Sequence, residues 1–167
     1  MSVGRLTVCR LESPVGLLSL AVDEDGAVRA LSFGEGAART AARFYPKAAI
    51  DTGEAPDATD RLQAYFGGDH GAVGGIAWAV QGDGFAQRVW RALAEIPAGT
   101  TISYGEMARR AGEPGGAQAA GAALNANPIA VVLPCHRVVG ADGSMTGFGG
   151  GLERKTWLLR HEGALLL

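Results

Sequence analysis

Two cysteines in 167 residues, Cys9 and Cys135, are too few for a disulfide framework or a thiolate metal quartet. Lysine is equally scarce: Lys47 and Lys155 stand beside thirteen arginines, and with the abundance of Ala and Gly this hints at a GC-rich bacterial genome. No apolar run approaches the ~18 residues of a membrane span, and no charged-then-apolar leader opens the chain. A soluble, cytoplasmic protein is expected, because a working free thiol needs a reducing compartment. An excess of cations is missing too, and the net charge of −2 argues at first against a nucleic-acid partner. What the chain does have is 47% hydrophobic and 19% charged residues, an ordinary globular composition, long enough for one large domain or two small ones.

The charge is unevenly spread. Residues 1–84 carry 7 Lys+Arg against 11 Asp+Glu, a balance of −4, while residues 85–167 carry 8 against 6, a balance of +2. The second half can therefore make a few phosphate contacts, with moderate and salt-sensitive binding. In the acidic half, Arg5 to Glu12, Val15 to Val22 and Ala27 to Phe33 are β-rich runs separated by turn residues, which predicts an antiparallel meander. Helices are predicted over 37–44, stopped by Pro46, and over 56–66, ended by Gly67-Gly68, with Asp57 and Asp60 suited to the dipole of the latter. Cys9 reads as a small core residue. The Gly-rich stretch 67–84 reads as a linker, which divides the chain into an N-terminal α+β scaffold, 1–82, and a C-terminal domain, 83–167.

In the basic half, Phe85, Val89, Leu93 and Ile96 recur at helical spacing until Pro97. Ser103-Tyr104-Gly105-Glu106 has the form of a capping box and opens a helix that ends near Gly112. A second helix is expected from Ala117 to Ala126, and the pair suggests a helix-turn-helix. Ala117, Ala119, Ala120, Gly121, Ala122 and Ala123 leave the second helix almost without side-chain bulk. Such a helix suits close approach to the floor of a narrow groove, or tight packing on a neighbouring helix.

The run Val131-Val132-Leu133-Pro134-Cys135-His136-Arg137-Val138-Val139 then sets a thiol beside an imidazole between two β-branched segments. It predicts a short strand, a turn at the cysteine and a second strand. A free cysteine is only a few per cent thiolate at neutral pH unless a base or a cation helps it, and a base in turn needs an orienting group. His136 is a candidate base. A buried structural cysteine is the alternative for any isolated Cys-His pair.

The flanks narrow the choice. Pro134-Cys135-His136-Arg137-Val138, with Asn127-Pro128 before it and Gly149-Gly150-Gly151-Leu152, Trp157-Leu158-Leu159 and His161-Glu162-Gly163 after it, resembles the methylated-DNA–protein-cysteine methyltransferases, the O-6-alkylguanine-DNA alkyltransferases. Phe85 to Trp90 and Ile96 to Tyr104 are similar to the same family, so the resemblance covers roughly residues 84 to 163. It implies an α+β chain: an N-terminal antiparallel-sheet α/β roll and a C-terminal, mostly helical, winged helix-turn-helix-like domain. It also implies irreversible transfer of an alkyl group from O-6-alkylguanine in double-stranded DNA to Cys135, with O-4-alkylthymine a further candidate substrate. The protein would act once, as a monomer, without a cofactor and away from membranes.

By the same resemblance His136 is the general base acting through a water, Glu162 its orienting carboxylate, and Asn127 the residue that holds the turn around Cys135. Tyr104 would serve the departing guanine and the neighbouring phosphate. Gln118, Tyr104, Ala119 and Arg137 would meet DNA, the helix lying in the minor groove with the target nucleotide flipped out. Leu124, Val138, Phe148, Gly149 and Gly150 would line the base pocket. Some relatives bind zinc in the N-terminal half; with only Cys9 and a distant His70 available, no metal site is expected.

One position departs from the family pattern. The recognition helix usually carries an arginine fourteen residues after the tyrosine, and here that residue is Gln118. Glutamine can hydrogen-bond an orphaned base but brings no charge to the phosphates and stacks less well. Two other readings are open. One is a lesion-binding alkyltransferase-like protein with little repair of duplex DNA, against which the presence of Cys135 counts. The other is a helix-turn-helix regulator, for which 167 residues leave little room for a further domain.

Overall fold

The computed structural model describes residues 3–142 and 151–164. The chain divides into two compact units, residues 1–80 with 128–132 and residues 81–127 with 133–167. The predicted division into two consecutive segments, 1–82 and 83–167, does not account for this excursion, because a five-residue segment of the second half completes the sheet of the first.

In the first unit β1 (Arg5–Ser13), β2 (Gly16–Asp23) and β3 (Val28–Phe33) form the expected antiparallel meander. Leu6, Leu18, Leu20, Val28 and Ala30 are fully buried, and in the central strand β2 the whole run 18–22 is buried, on both faces. Helix α1 (Ala37–Phe44) lies where its spacing predicts, and its first amide, Ala37 N, donates to the buried Ser19 Oγ at 3.0 Å. That bond satisfies one of the orphan donors of the helix start from the sheet itself. Helix α2 (Pro56–Phe66) begins on its proline, whose missing N–H costs nothing there.

The sheet is mixed, not purely antiparallel. After α1 the chain crosses to the far edge and β4 (Ala49–Thr52) pairs parallel to β1, giving the order β3-β2-β1-β4. All four β4 residues are exposed, so no alternation marks them as a strand. The free edge of β3 is covered twice. Val28 exchanges backbone bonds with Ala77 and Ala79 beside Trp78, and Leu31 with Pro128 and Ala130. Residues 77–79, expected in a linker, thus help residues 128–130 protect an edge strand from pairing elsewhere.

In the second unit α3 (Phe85–Leu93) buries Val89, Trp90 and Leu93. The predicted helix ran to Ile96; its end is instead wound more tightly, Glu95 N and Ile96 N reaching back three residues to Ala92 O and Leu93 O. Helices α4 (Tyr104–Arg110) and α5 (Ala117–Asn125) follow the predicted helix-turn-helix. Ser103 caps α4 by accepting from Glu106 N at 3.1 Å. The other half of the capping box is diverted: the Glu106 carboxylate takes Arg109 at 2.8 and 2.6 Å and Arg110 at 2.8 Å. Two short strands, β5 (Ile102–Ser103) and β6 (Val138–Val139), pair in parallel, and α6 (Leu152–His161) closes the described part of the unit.

The small residues of α5 work on two sides. Ala120, Ala123 and Leu124 are buried, Ala123 O accepts the Trp90 indole at 2.8 Å, and a Cβ on Gly121 would stand 4.0 Å from the Tyr104 ring. Gln118, Ala119 and Ala122 remain exposed. Close helix packing and an outward face of low bulk are therefore both present on one helix.

Candidate active site

The predicted strand before the cysteine is absent. Although β-branched, Val131 has φ 69°, a conformation in which such side chains are crowded, and Val132 N donates across it to Ala130 O at 2.8 Å. This is a tight γ-turn of the rare positive-φ kind. Three residues on, Pro134, at φ −81° and ψ 70°, makes the commoner inverse form, with Cys135 N donating to Leu133 O at 2.8 Å. A single 3₁₀ turn, Cys135–Arg137, follows and leads into β6. Because the local geometry is helical rather than extended, Cys135 and His136 need not point to opposite faces as neighbours on a strand do.

Asn127 fixes this turn. Its Nδ2 donates to Leu133 O at 2.8 Å, and its side chain also hydrogen-bonds the Cys135 sulfur. Burial pushes the Cys135 thiol up from its ordinary value. The Asn127 bond, the Lys155 ammonium and the backbone amides of Cys135 and His136 oppose that push without cancelling it.

Behind the cysteine lies a buried polar cluster. His136 is 0% exposed, Glu162 and Arg137 are each 5% and Lys155 is 1%. His136 Nε2 stands 2.8 Å from Glu162 Oε2. Burial lowers the imidazole pKa, and the Glu162 bond and charge only partly offset it. Burial would raise the Glu162 carboxyl, but hydrogen bonds from His136 and Arg137, with their charges, hold it well below the usual carboxylate range. Glu162 is thus an anion that can only accept, which puts the imidazole proton on Nε2. His136 Nδ1 is buried and has no protein partner among the described residues.

The signs of these shifts give a stability prediction. His136 and Glu162 both have folded pKa values below their unfolded ones, so each stabilises the fold above its unfolded pKa and stops doing so in acid. The melting temperature should hold steady between about pH 7 and 8 and fall from roughly pH 6.5 downward as the buried imidazole is forced to charge. A melting curve in a His136→Asn protein with the same slope between about pH 6.5 and 5 would assign that loss to another group.

Other expected residues lie as follows. Tyr104 opens α4, half-buried, with its ring against Gly121. Leu124 and Val138 are buried, and the Val138 carbonyl takes Lys155 Nζ at 2.8 Å, leaving it a second acceptor position. Phe148, Gly149 and Gly150 fall outside the described residues.

The expectation for Arg137 is corrected. It does not present its charge outward to DNA: Nε and Nη2 bind the two Glu162 oxygens at 2.8 Å each, and Nη1 donates to Ile96 O. The physical reason is that burying Glu162 requires a compensating cation, and the guanidinium fork matches a carboxylate. Lys155, also buried in this cluster, carried no expectation. Its signal was present: in α6 it stands three and four residues before Leu158 and Leu159, on the helix face that packs inward.

A family model, the DNA-binding domain of 6-O-methylguanine DNA methyltransferase, matches residues 84–164. Over 169 aligned residues the chain is 40% identical to a methylated-DNA–protein-cysteine methyltransferase of Shigella flexneri, covering 98% of this chain and 99% of the relative. A Methanosarcina acetivorans protein of the same name is 40% identical over 154 residues, 92% of this chain and 96% of its own. Among solved structures, the OGT of Mycobacterium tuberculosis in complex with DNA superposes with a TM-score of 0.78 at 40% identity, covering 95% of this chain and 93% of that one. The two-unit α+β fold, the Cys135 turn and this full-length similarity agree, and the chain belongs to the methylated-DNA–protein-cysteine methyltransferase family.

Proposed function

We propose that the protein repairs DNA by moving the alkyl group of O-6-alkylguanine onto Cys135, once per molecule. Family membership makes it a DNA-binding methylated-DNA–protein-cysteine S-methyltransferase. One observation carries the chemistry: beside Cys135, His136 Nε2 pairs with the Glu162 carboxylate at 2.8 Å while its buried Nδ1 has no protein partner among the described residues. That nitrogen can take the thiol proton through a water molecule.

At rest, burial raises the thiol and lowers the imidazole, so both are neutral and the cysteine is shielded from adventitious alkylation. On reaction the Cys135 proton passes to His136, the sulfur bonds the alkyl carbon, and the carbon–O6 bond breaks. The electron pair goes to the guanine, which takes up a proton at a ring nitrogen with the Tyr104 phenol as donor. The products are S-alkylcysteine and guanine, and the proton held by His136 balances the one given by Tyr104, exchange with solvent returning both side chains to neutral. A thioether has no ready leaving group, and Cys9 is buried, so no thiol is offered to regenerate Cys135.

The reactive atoms of guanine lie within the stack of a duplex, and reaching them requires turning the nucleotide out at a cost of a few kcal/mol. The exposed, low-bulk side of α5, with Gln118 and Ala119, is the surface we assign to the minor groove. Intact-mass analysis after incubation with an O-6-methylguanine oligonucleotide tests the reading. One methyl on the peptide containing Cys135 is expected; tight binding without any mass gain would favour the lesion-binding alternative.

Replacing Glu162 by Gln should slow transfer by on the order of 10²-fold or more, since His136 loses its anionic partner. The same change leaves Arg137 buried without a counter-ion, which destabilises by roughly 3–5 kcal/mol. Single-turnover rates taken well below the lowered melting temperature separate the two effects. An unchanged rate there would remove Glu162 from the mechanism.

A further inference from the structure

We propose that Arg137 is a positioning residue: it locks the charge and orientation of Glu162 and thereby fixes the His136 tautomer whose Nδ1 faces the reaction. This deepens the proposed function and rests on it for the role of His136.

The argument is geometric. Glu162 Oε2 is shared by His136 Nε2 and Arg137 Nη2, each at 2.8 Å, while Oε1 takes Arg137 Nε at 2.8 Å. Arg137 is itself anchored at the third nitrogen by the Ile96 carbonyl, where the chain leaves α3. The following turn comes close to the main chain of Glu162: a Cβ on Gly99, at φ 87°, would lie 3.2 Å from its backbone O. The carboxylate is therefore held directly by two residues of the 3₁₀ turn, His136 and Arg137, and Arg137 is in turn fixed by the Ile96 carbonyl just beyond α3. Its two oxygens accept at least three hydrogen bonds, which only an ionised carboxyl can do throughout.

Remove the guanidinium and the balance changes. A buried carboxyl next to neutral imidazole would tend to protonate, because desolvation favours the neutral form. A protonated Glu162 would donate to Nε2, drive the imidazole proton to Nδ1 and abolish the acceptor. The charged or titratable groups that bear on this are few among the described residues. On the 3₁₀ turn stand Cys135, His136 and Arg137; from α6 and its C-terminus come Lys155, whose charge acts on both Cys135 and His136, and Glu162 itself. Lys155 donates to the Val138 carbonyl at 2.8 Å, and a single ammonium lacks the guanidinium fork that matches both Glu162 oxygens, so it is a poor stand-in for Arg137.

The sign of the pH effect follows. With Arg137 in place Glu162 is ionised throughout the working range, and the acidic limb of the rate profile belongs to the thiol–imidazole pair. In an Arg137→Met protein an additional acidic limb should appear at higher pH, so that transfer is slowed by on the order of 10²-fold near neutrality and recovers as pH rises. Arg137→Lys keeps a cation but not the fork, and should shift the limb less.

The test is nitrogen NMR of His136 in the wild type, combined with single-turnover methyl transfer against pH in wild type, Arg137→Met and Arg137→Lys. The proposal expects the wild-type imidazole protonated on Nε2 and bare on Nδ1, and limbs ordered wild type, Lys, Met from low to high pH. A wild-type Nδ1–H tautomer would overturn it, as would an Arg137→Met protein that melts cooperatively with the wild-type pH profile. Should the Met variant not fold, the tautomer and the Lys profile decide. Failure of the wild type to transfer methyl at all would sink the proposed function instead, and the NMR result would still judge the role of Arg137.

Discussion

A Cys135→Ser protein should transfer no methyl group while folding and binding DNA almost as the wild type does. The hydroxyl is close in shape to the thiol and can still accept from Asn127, whose other bond, to Leu133 O, does not involve the side chain at 135. Melting should therefore change by no more than about 1 kcal/mol. The rate should fall by at least ~10³-fold, or roughly 4 kcal/mol of barrier, because a serine hydroxyl is a far weaker nucleophile than a thiolate and the neutral, buried His136 is a modest base. Single-turnover assay with methylated duplex, read by mass, measures both rate and acceptor. Residual transfer at a few per cent of the wild-type rate would mean another acceptor. Cys9 is the other thiol in the chain; it is buried and burial raises its pKa, so such a result would contradict the site described above.

The Gln118→Arg protein should react faster than wild type on methylated duplex and no differently on a free O-6-benzylguanine base. Gln118 is exposed near the start of α5, where an arginine could reach both the base stack and a phosphate. Neither nearby arginine supplies that charge in the present structure: Arg109 and Arg110 are both engaged by the Glu106 carboxylate on α4. A gain of about 10-fold on duplex, about 1.4 kcal/mol, is the expected size, with the salt dependence of binding steeper by about one counterion. Single-stranded and mismatched lesions cost less to extrude, so the wild type should prefer them over duplex more strongly than the arginine variant does. Equal duplex rates for the two proteins would show that Gln118 already fills the gap well enough. A slow wild-type reaction with the free base would move the deficit into the pocket and away from the helix.

What the sequence determined by itself was whatever short-range chemistry controls. The bounds of α1 and α2, the Ser103 cap, the α4–α5 pair and the meander all follow from spacing within a few residues, and from Pro and Gly at the breaks. The motif around Cys135 belongs in the same class, because its residues lie in one continuous stretch that the family model also covers. Tertiary structure decided the rest. The apolar run 131–133 was bent out of strand geometry, with Val131 at φ 69°, and residues 128–130 were drawn onto the edge of β3 by bonds to Leu31, a partner almost a hundred positions earlier. β4, exposed on every residue, exists because β1 offered it a parallel edge. Arg137 reads in sequence as one more cation beside a DNA-reactive cysteine. Its direction was set by Glu162, twenty-five residues away, whose burial beside His136 left an anion that needed a charged, forked partner. Spacing along the chain can propose a pair of residues, but which groups are desolvated together depends on how the elements pack, and it is desolvation that assigns the charges in this site.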